Sequence, residues 1–119
     1  MVHEVFVELN RVPPSLNKYL HMHWRSRRKL QKAFDMQVFA EWINQGKFVF
    51  TNPVKLTFLF CFPRKRCRDR DNYIGGTKPI IDALKRTFIF RDDAEWIKDI
   101  QVRFSTGKER TIILIEEMV

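Results

Sequence analysis

The stretch Val54-Lys55-Leu56-Thr57-Phe58-Leu59-Phe60-Cys61-Phe62, VKLTFLFCF, decides the fold. Val54, Leu56, Phe58, Phe60 and Phe62 alternate with Lys55, Thr57, Leu59 and Cys61. Extended backbone turns successive side chains to opposite faces, so the first set lines one face of a β-strand. Leu59 and Cys61 add apolar groups to the other face. That predicts a central strand, covered on both sides.

The flanking segments build a sheet around it. In residues 2–9, VHEVFVEL, the side chains of Val5, Val7 and Leu9 fall opposite Glu4 and Glu8, the pattern of a strand with one buried face. Val12-Pro13-Pro14-Ser15-Leu16-Asn17 ends it, because proline cannot continue a hydrogen-bonded ladder. Residues 18–25, KYLHMHWR, read as an irregular surface segment. Ser26 suits a helix N-cap. From it Leu30, Ala33, Phe34, Val38 and Trp42 recur at helical spacing, with Gln37 and Glu41 near the same stripe. Gly46 stops that helix.

A second helix is predicted from Thr77 through Lys78-Pro79-Ile80-Ile81-Asp82-Ala83-Leu84-Lys85, with Thr77 as cap and proline in the first turn. Lys78 and Asp82 lie four apart on one helix face. Asp92-Asp93 falls in a loop or turn. Residues 96–105 and 111–118 read as closing strands, joined near Thr106-Gly107-Lys108-Glu109. The apolar run Ile112–Ile115 marks the second as a covered strand. The expectation is class α+β: a mixed β-sheet of about four strands with two main helices, in β-α-β-α-β-β order, as a single domain over 1–119.

The 119 residues, 45% of them hydrophobic, suit one folded globule. No segment approaches the ~20 apolar residues of a membrane span, and the N-terminus has no secretory h-region. No membrane partner is expected. The two cysteines, Cys61 and Cys67, make neither a CxxC motif nor a zinc quartet, and a reducing cytoplasmic location is expected.

A formal net charge of +8 points to polyanionic partners. The charge is clustered. Arg25, Arg27, Arg28 and Lys29 form one group; Arg64, Lys65, Arg66, Arg68 and Arg70 form another. Two dense clusters favour nucleic acid over simple solubility.

Asp69 and Asp71 sit inside the second cluster, in Arg64-Lys65-Arg66-Cys67-Arg68-Asp69-Arg70-Asp71-Asn72. In extended backbone, residues i and i+2 point the same way, so the two carboxylates would converge. Such a pair repels itself unless a hard cation relieves it, and Mg²⁺ binds through one or two carboxylates plus phosphate oxygens. The competing reading is a self-neutralising strip of surface ion pairs. Likewise, Lys78 and Asp82 on their own read as a helix ion pair.

The run R-D-R-D-N, followed by K-P-I-I-D-A-L-K and then R-D-D, resembles the signature of the RusA family of Holliday-junction resolvases. V-P-P-S-L-N followed by H-x-H-W is similar to that family's PPSxN segment. Ile74-Gly75-Gly76-Thr77 sets Lys78 further from Asn72 than the family's lysine usually stands, and residues 86–91 lack the glycine often found there. Family members are small, dimeric, Mg²⁺-dependent endonucleases, often carried by phages and prophages, that resolve four-way DNA junctions by paired nicks in recombination and repair. The resemblance implies Asp69, Asp71 and Asp93 as metal-binding carboxylates, Asp92 as an accessory and Lys78 as a catalytic lysine. The implied cofactor is Mg²⁺, with Mn²⁺ as a substitute. Arg64, Lys65, Arg66, Arg68 and Arg70, helped by Arg25, Arg27 and Arg28, would contact DNA phosphates, and the chain would act as a homodimer on branched DNA. The alternative is a non-catalytic basic module that binds branched or single-stranded nucleic acid.

Overall fold

The computed structural model describes residues 3–89 and 94–118. Asp92 and Asp93 therefore lie outside the described residues. Strands β1 (Glu4–Leu9), β2 (Val54–Phe62), β3 (Ile97–Thr106) and β4 (Arg110–Glu117) form a four-stranded mixed sheet in the order β1-β4-β2-β3. β4 runs antiparallel to both neighbours, while β2 and β3 are parallel. A parallel pair requires a crossover, and the chain between β2 and β3 supplies it.

That crossover carries helices α3 (Arg70–Gly75) and α4 (Lys78–Leu84). Between β1 and β2 lie α1 (Leu16–Leu20) and α2 (Trp24–Asn44). The α+β class and the mixed four-stranded sheet agree with the expectation; the order of strands within the sheet is new. Each of the two helical regions, however, contains a second, short helix. Residues 16–20, partly within the segment read as irregular, are helical because Ser15 caps them: its Oγ accepts the Lys18 N–H at 3.4 Å. Ser26 is not the cap of α2. His23 takes that place, with Nδ1 accepting the Arg25 N–H at 3.1 Å. At the other end Gly46 (φ 77°) and Lys47 (φ 58°) turn the chain out of the helix.

One sheet face carries the core. Val54, Leu56, Phe58 and Phe60 are fully buried there, beside Val7, Val102, Ile113 and Ile115. α2 packs on this layer through Leu30, Phe34 and Val38, spaced by four, and α4 through Ile80, Ala83 and Leu84. Phe34, Phe58, Phe60 and Phe88 have essentially no exposed surface, and burying each is worth about 1.5–3 kcal/mol.

The other sheet face differs from expectation. Thr57 and Leu59 of β2, and Ile112 and Leu114 of β4, are only half-buried, although Cys61 is covered. The apolar runs mark these strands as central in the sheet, yet both helices that pack on it lie against the opposite face. No described helix is long and apolar enough to cross a membrane.

Candidate nucleic-acid interface and carboxylate turn

β2 delivers the chain into the basic segment. After Phe62 and Pro63, residues Arg64, Lys65 and Arg66 are exposed. The Arg68 guanidinium lies 3.5 Å from the Phe62 ring centroid, a cation–π contact that anchors the segment on the end of the strand. Tyr73 of α3 then inserts among Phe60, Phe62 and Phe104, with ring centroids 5.4–5.9 Å away. This aromatic cluster fixes the start of α3 over the ends of β2 and β3.

The start of α3 holds both aspartates, and its geometry departs from the extended run read from the sequence. Asp69 has extended backbone and caps the helix; its Oδ1 accepts the Asp71 N–H at 3.0 Å. Asp71 is already in the first helical turn. Two carboxylates therefore share one helix start, where the unpaired N–H groups favour negative charge. One oxygen of Asp69 is committed to the cap. Among the described residues, Asp71 has neither an ion pair nor a hydrogen bond to its carboxylate, although Arg68 and Arg70 flank it. The strip of alternating ion pairs is not what forms.

Lys78 does pair. Its Nζ lies 3.1 Å from Asp82 Oδ2, one helical turn on. Thr77, read as a capping side chain, is buried, and its Oγ1 donates to the Ile74 carbonyl at 2.6 Å. Gly76 and Thr77 keep helical backbone angles, so α4 follows α3 across a two-residue joint. The glycines serve close approach rather than unusual angles. A Cβ on Gly76 would lie 2.3 Å from the Pro14 carbonyl oxygen, and one on Gly75 would lie 2.7 Å from Leu16 Cδ2. The Pro13-Pro14-Ser15 segment is thus seated directly on the Gly-Gly joint.

α1 ties the basic clusters together. The Asn72 side-chain oxygen accepts the Asn17 N–H at 3.0 Å, joining α1 to α3. On its other side Arg27 of α2 stacks 5.0 Å from the Tyr19 ring and donates to the Leu20 carbonyl at 2.7 Å. Arg27 is therefore engaged within the protein. Arg25 and Arg28 instead flank the ring of Trp24, which is 53% exposed, at 5.3 and 5.8 Å. His21 closes α1, with Nδ1 at 2.6 Å from the Asn17 carbonyl.

The sequence displayed both asparagines, at the ends of PPSLN and RDRDN, but nothing in its order indicated that they meet. No group of three His, Cys, Asp or Glu side chains converges as a metal site among the described residues. Asp69 and Asp71 share the start of α3; the remaining candidate ligands, Asp92 and Asp93, fall outside those residues. Compared with known proteins, the chain matches no family model and no curated protein.

Proposed function

We propose that the protein is a Mg²⁺-dependent endonuclease acting on branched DNA, as its resemblance to the RusA family implies. One observation carries the reading: the Asp71 carboxylate is exposed and unpartnered among the described residues, within a run of cations that do not neutralise it. An unpaired carboxylate among arginines suits a hard-cation ligand beside a phosphate-binding surface.

Asp71 and the second oxygen of Asp69 are oxygen donors of the kind Mg²⁺ takes, and Asp93 and Asp92 are the other candidate ligands. When bound, the cation would neutralise charge on the scissile phosphate and lower the pKa of an attacking water. The protein's own groups do the rest. Arg64, Lys65, Arg66 and Arg70 neutralise neighbouring phosphates, joined across α1 by Arg25 and Arg28. Lys78, released from Asp82, would stabilise negative charge developing on the phosphate. A four-way junction presents two strands related by symmetry, which a homodimer with one site per chain matches.

The second reading is a basic binding module without catalysis. The Asp69 cap and the Lys78–Asp82 pair favour it, since both give acidic residues structural work. A Mg²⁺-titrated cleavage assay separates the two, comparing a four-way junction with linear duplex beside the Asp71→Asn variant. The nuclease reading expects metal-dependent nicking of the junction, lost in the variant while binding persists. Junction binding with no cutting at any Mg²⁺ concentration overturns it.

A further inference from the structure

The corner between α1 and α2 exposes apolar surface where the sequence is free of acid. From Asn10 to Phe34 the chain holds no aspartate or glutamate, while Lys18, Arg25, Arg28, Lys29 and Lys32 all stand exposed. Among these cations Leu20 is 55% exposed and Trp24 53%. An indole offers a large, rigid contact surface at low entropic cost.

Trp24 is held in place. It is the first residue of α2, directly after the His23 cap, whose carbonyl accepts the Arg27 N–H at 3.0 Å. The His23 ring lies 5.6 Å from the indole. The guanidinium groups of Arg25 and Arg28 lie 5.3 and 5.8 Å from its ring centroid. Arg27 fastens α1 to this helix start through the Tyr19 ring and the Leu20 carbonyl. The Asn17–Asn72 bond then joins α1 to the helix that bears Asp71. An exposed cation–π contact is weak, so an incoming base can displace a guanidinium from the ring while the cation stays beside it.

We propose that Trp24 is a stacking platform for one unpaired nucleobase of the DNA, with Arg25 and Arg28 holding the phosphates on either side of that base. Every base has a π-face, so the platform reads no sequence. Within a continuous duplex both faces of a base are covered by its neighbours; a branch point or a single strand leaves one open. The platform therefore supplies a preference for branched or single-stranded DNA that phosphate contacts alone do not. DNA suits the corner better than an acidic protein segment, because α1 links this basic cluster to the second one and lengthens the cationic track. The inference rests on the nucleic-acid-binding part of the proposed function and not on cleavage.

Fluorescence anisotropy in EDTA, where metal-dependent cutting is suppressed, tests it on the full chain. The probes are a short oligothymidine strand and an abasic strand with the same number of phosphates. The wild type is expected to bind the thymidine strand at least about tenfold more tightly. Trp24→Ala should bring the thymidine strand to the affinity of the abasic one, leaving the abasic strand and the salt slope unchanged. Trp24→Phe should keep most of the preference. Arg25→Ala and Arg28→Ala should each weaken both strands and lower the salt slope by about 0.7. Met36→Ala, further along the exposed side of α2, should change nothing, and circular dichroism checks that every variant folds. Equal binding of the two strands by the wild type overturns the proposal. So does a Trp24→Ala protein that still prefers thymidine, the result expected if the indole meets a protein instead, or one that loses both strands equally. Binding to neither strand overturns the proposal together with the nucleic-acid reading beneath it, whereas base preference without Mg²⁺-dependent cutting overturns only the catalytic reading.

Discussion

The Asn72 side chain accepts the backbone N–H of Asn17 at 3.0 Å, across 55 residues of sequence. That bond couples the turn bearing the two aspartates to the short helix that braces the other basic cluster. Replacing Asn72 with alanine should cost about 1 kcal/mol, the net worth of one such bond. For a domain of this size the melting temperature should fall by about 4 °C. Hydrogen exchange gives a sharper readout, because the Asn17 amide should lose protection while amides in β2 keep theirs. Unchanged exchange at Asn17 would show that the bond does not hold α1 in solution.

The Gly-Gly joint is under a steric constraint that helix propensity opposes. Alanine is the better helix former, and Gly76 has ordinary helical angles, so propensity alone predicts that Gly76→Ala stabilises. Packing predicts the reverse. The new Cβ would stand 2.3 Å from a backbone carbonyl at Pro14, which cannot swing aside as a side chain can. Overpacking of this kind costs about 1–3 kcal/mol, more than propensity returns. Gly75→Ala meets Leu16 instead and should cost less. Chemical denaturation of both variants decides the matter; a Gly76→Ala protein as stable as the wild type would mean that Pro14 is not held against the joint.

Most of the fold was legible because a period of two is hard to mistake. VKLTFLFCF became β2 with the bounds its alternation suggests, and Gly46 ended α2 as expected. The misses have physical causes. His23 displaced Ser26 as the cap because an imidazole nitrogen can accept an N–H as a hydroxyl does, which composition does not advertise. The helical turn at Asp71 overrode the extended reading because Asp69 supplies a cap and the partly buried Tyr73 ring packs against the core. Ile112 and Leu114 looked covered because a half-open sheet face and a covered one share the same residues. At the site, the candidate carboxylates and cations were visible as residue types. The Lys78–Asp82 pair was legible too, from its four-residue spacing; the state of Asp71, which meets no partner among the described residues, was not.

Glu117 gives the fold an acid-sensitive contact. Its Oε1 accepts from Asn52 Nδ2 at 2.6 Å, and its Oε2 from the His3 N–H at 3.2 Å. The Asn52 amide first, and the His3 N–H second, hold this carboxyl below its ordinary range. A folded value below the unfolded one, about 4.3, contributes stability that is present above the unfolded value and lost as pH falls through the folded one. Asn52→Leu removes the larger cause. The stability difference between wild type and variant should therefore be widest near neutrality and narrow as pH falls below about 5. Urea titrations across that range test it, and a gap that stays constant with pH would show that the Asn52 contact does not depend on the charge.

Lys78 separates structural from catalytic work most cleanly. Its pair with Asp82 is solvent-facing, with the lysine side chain 67% exposed. An exposed helix pair of this spacing is worth about 0.3–0.5 kcal/mol, so Lys78→Ala should barely move the melting temperature. If Lys78 stabilises charge on the phosphate, the same substitution should slow junction cleavage by about 10²-fold or more while DNA binding weakens only slightly. Asp82→Asn divides the possibilities further. It frees Lys78 from its partner, so cleavage should persist or rise if the lysine acts on the phosphate. Should cleavage instead fall equally in both variants, the ion pair itself is what the site needs, and Lys78 is a positioning residue of α4.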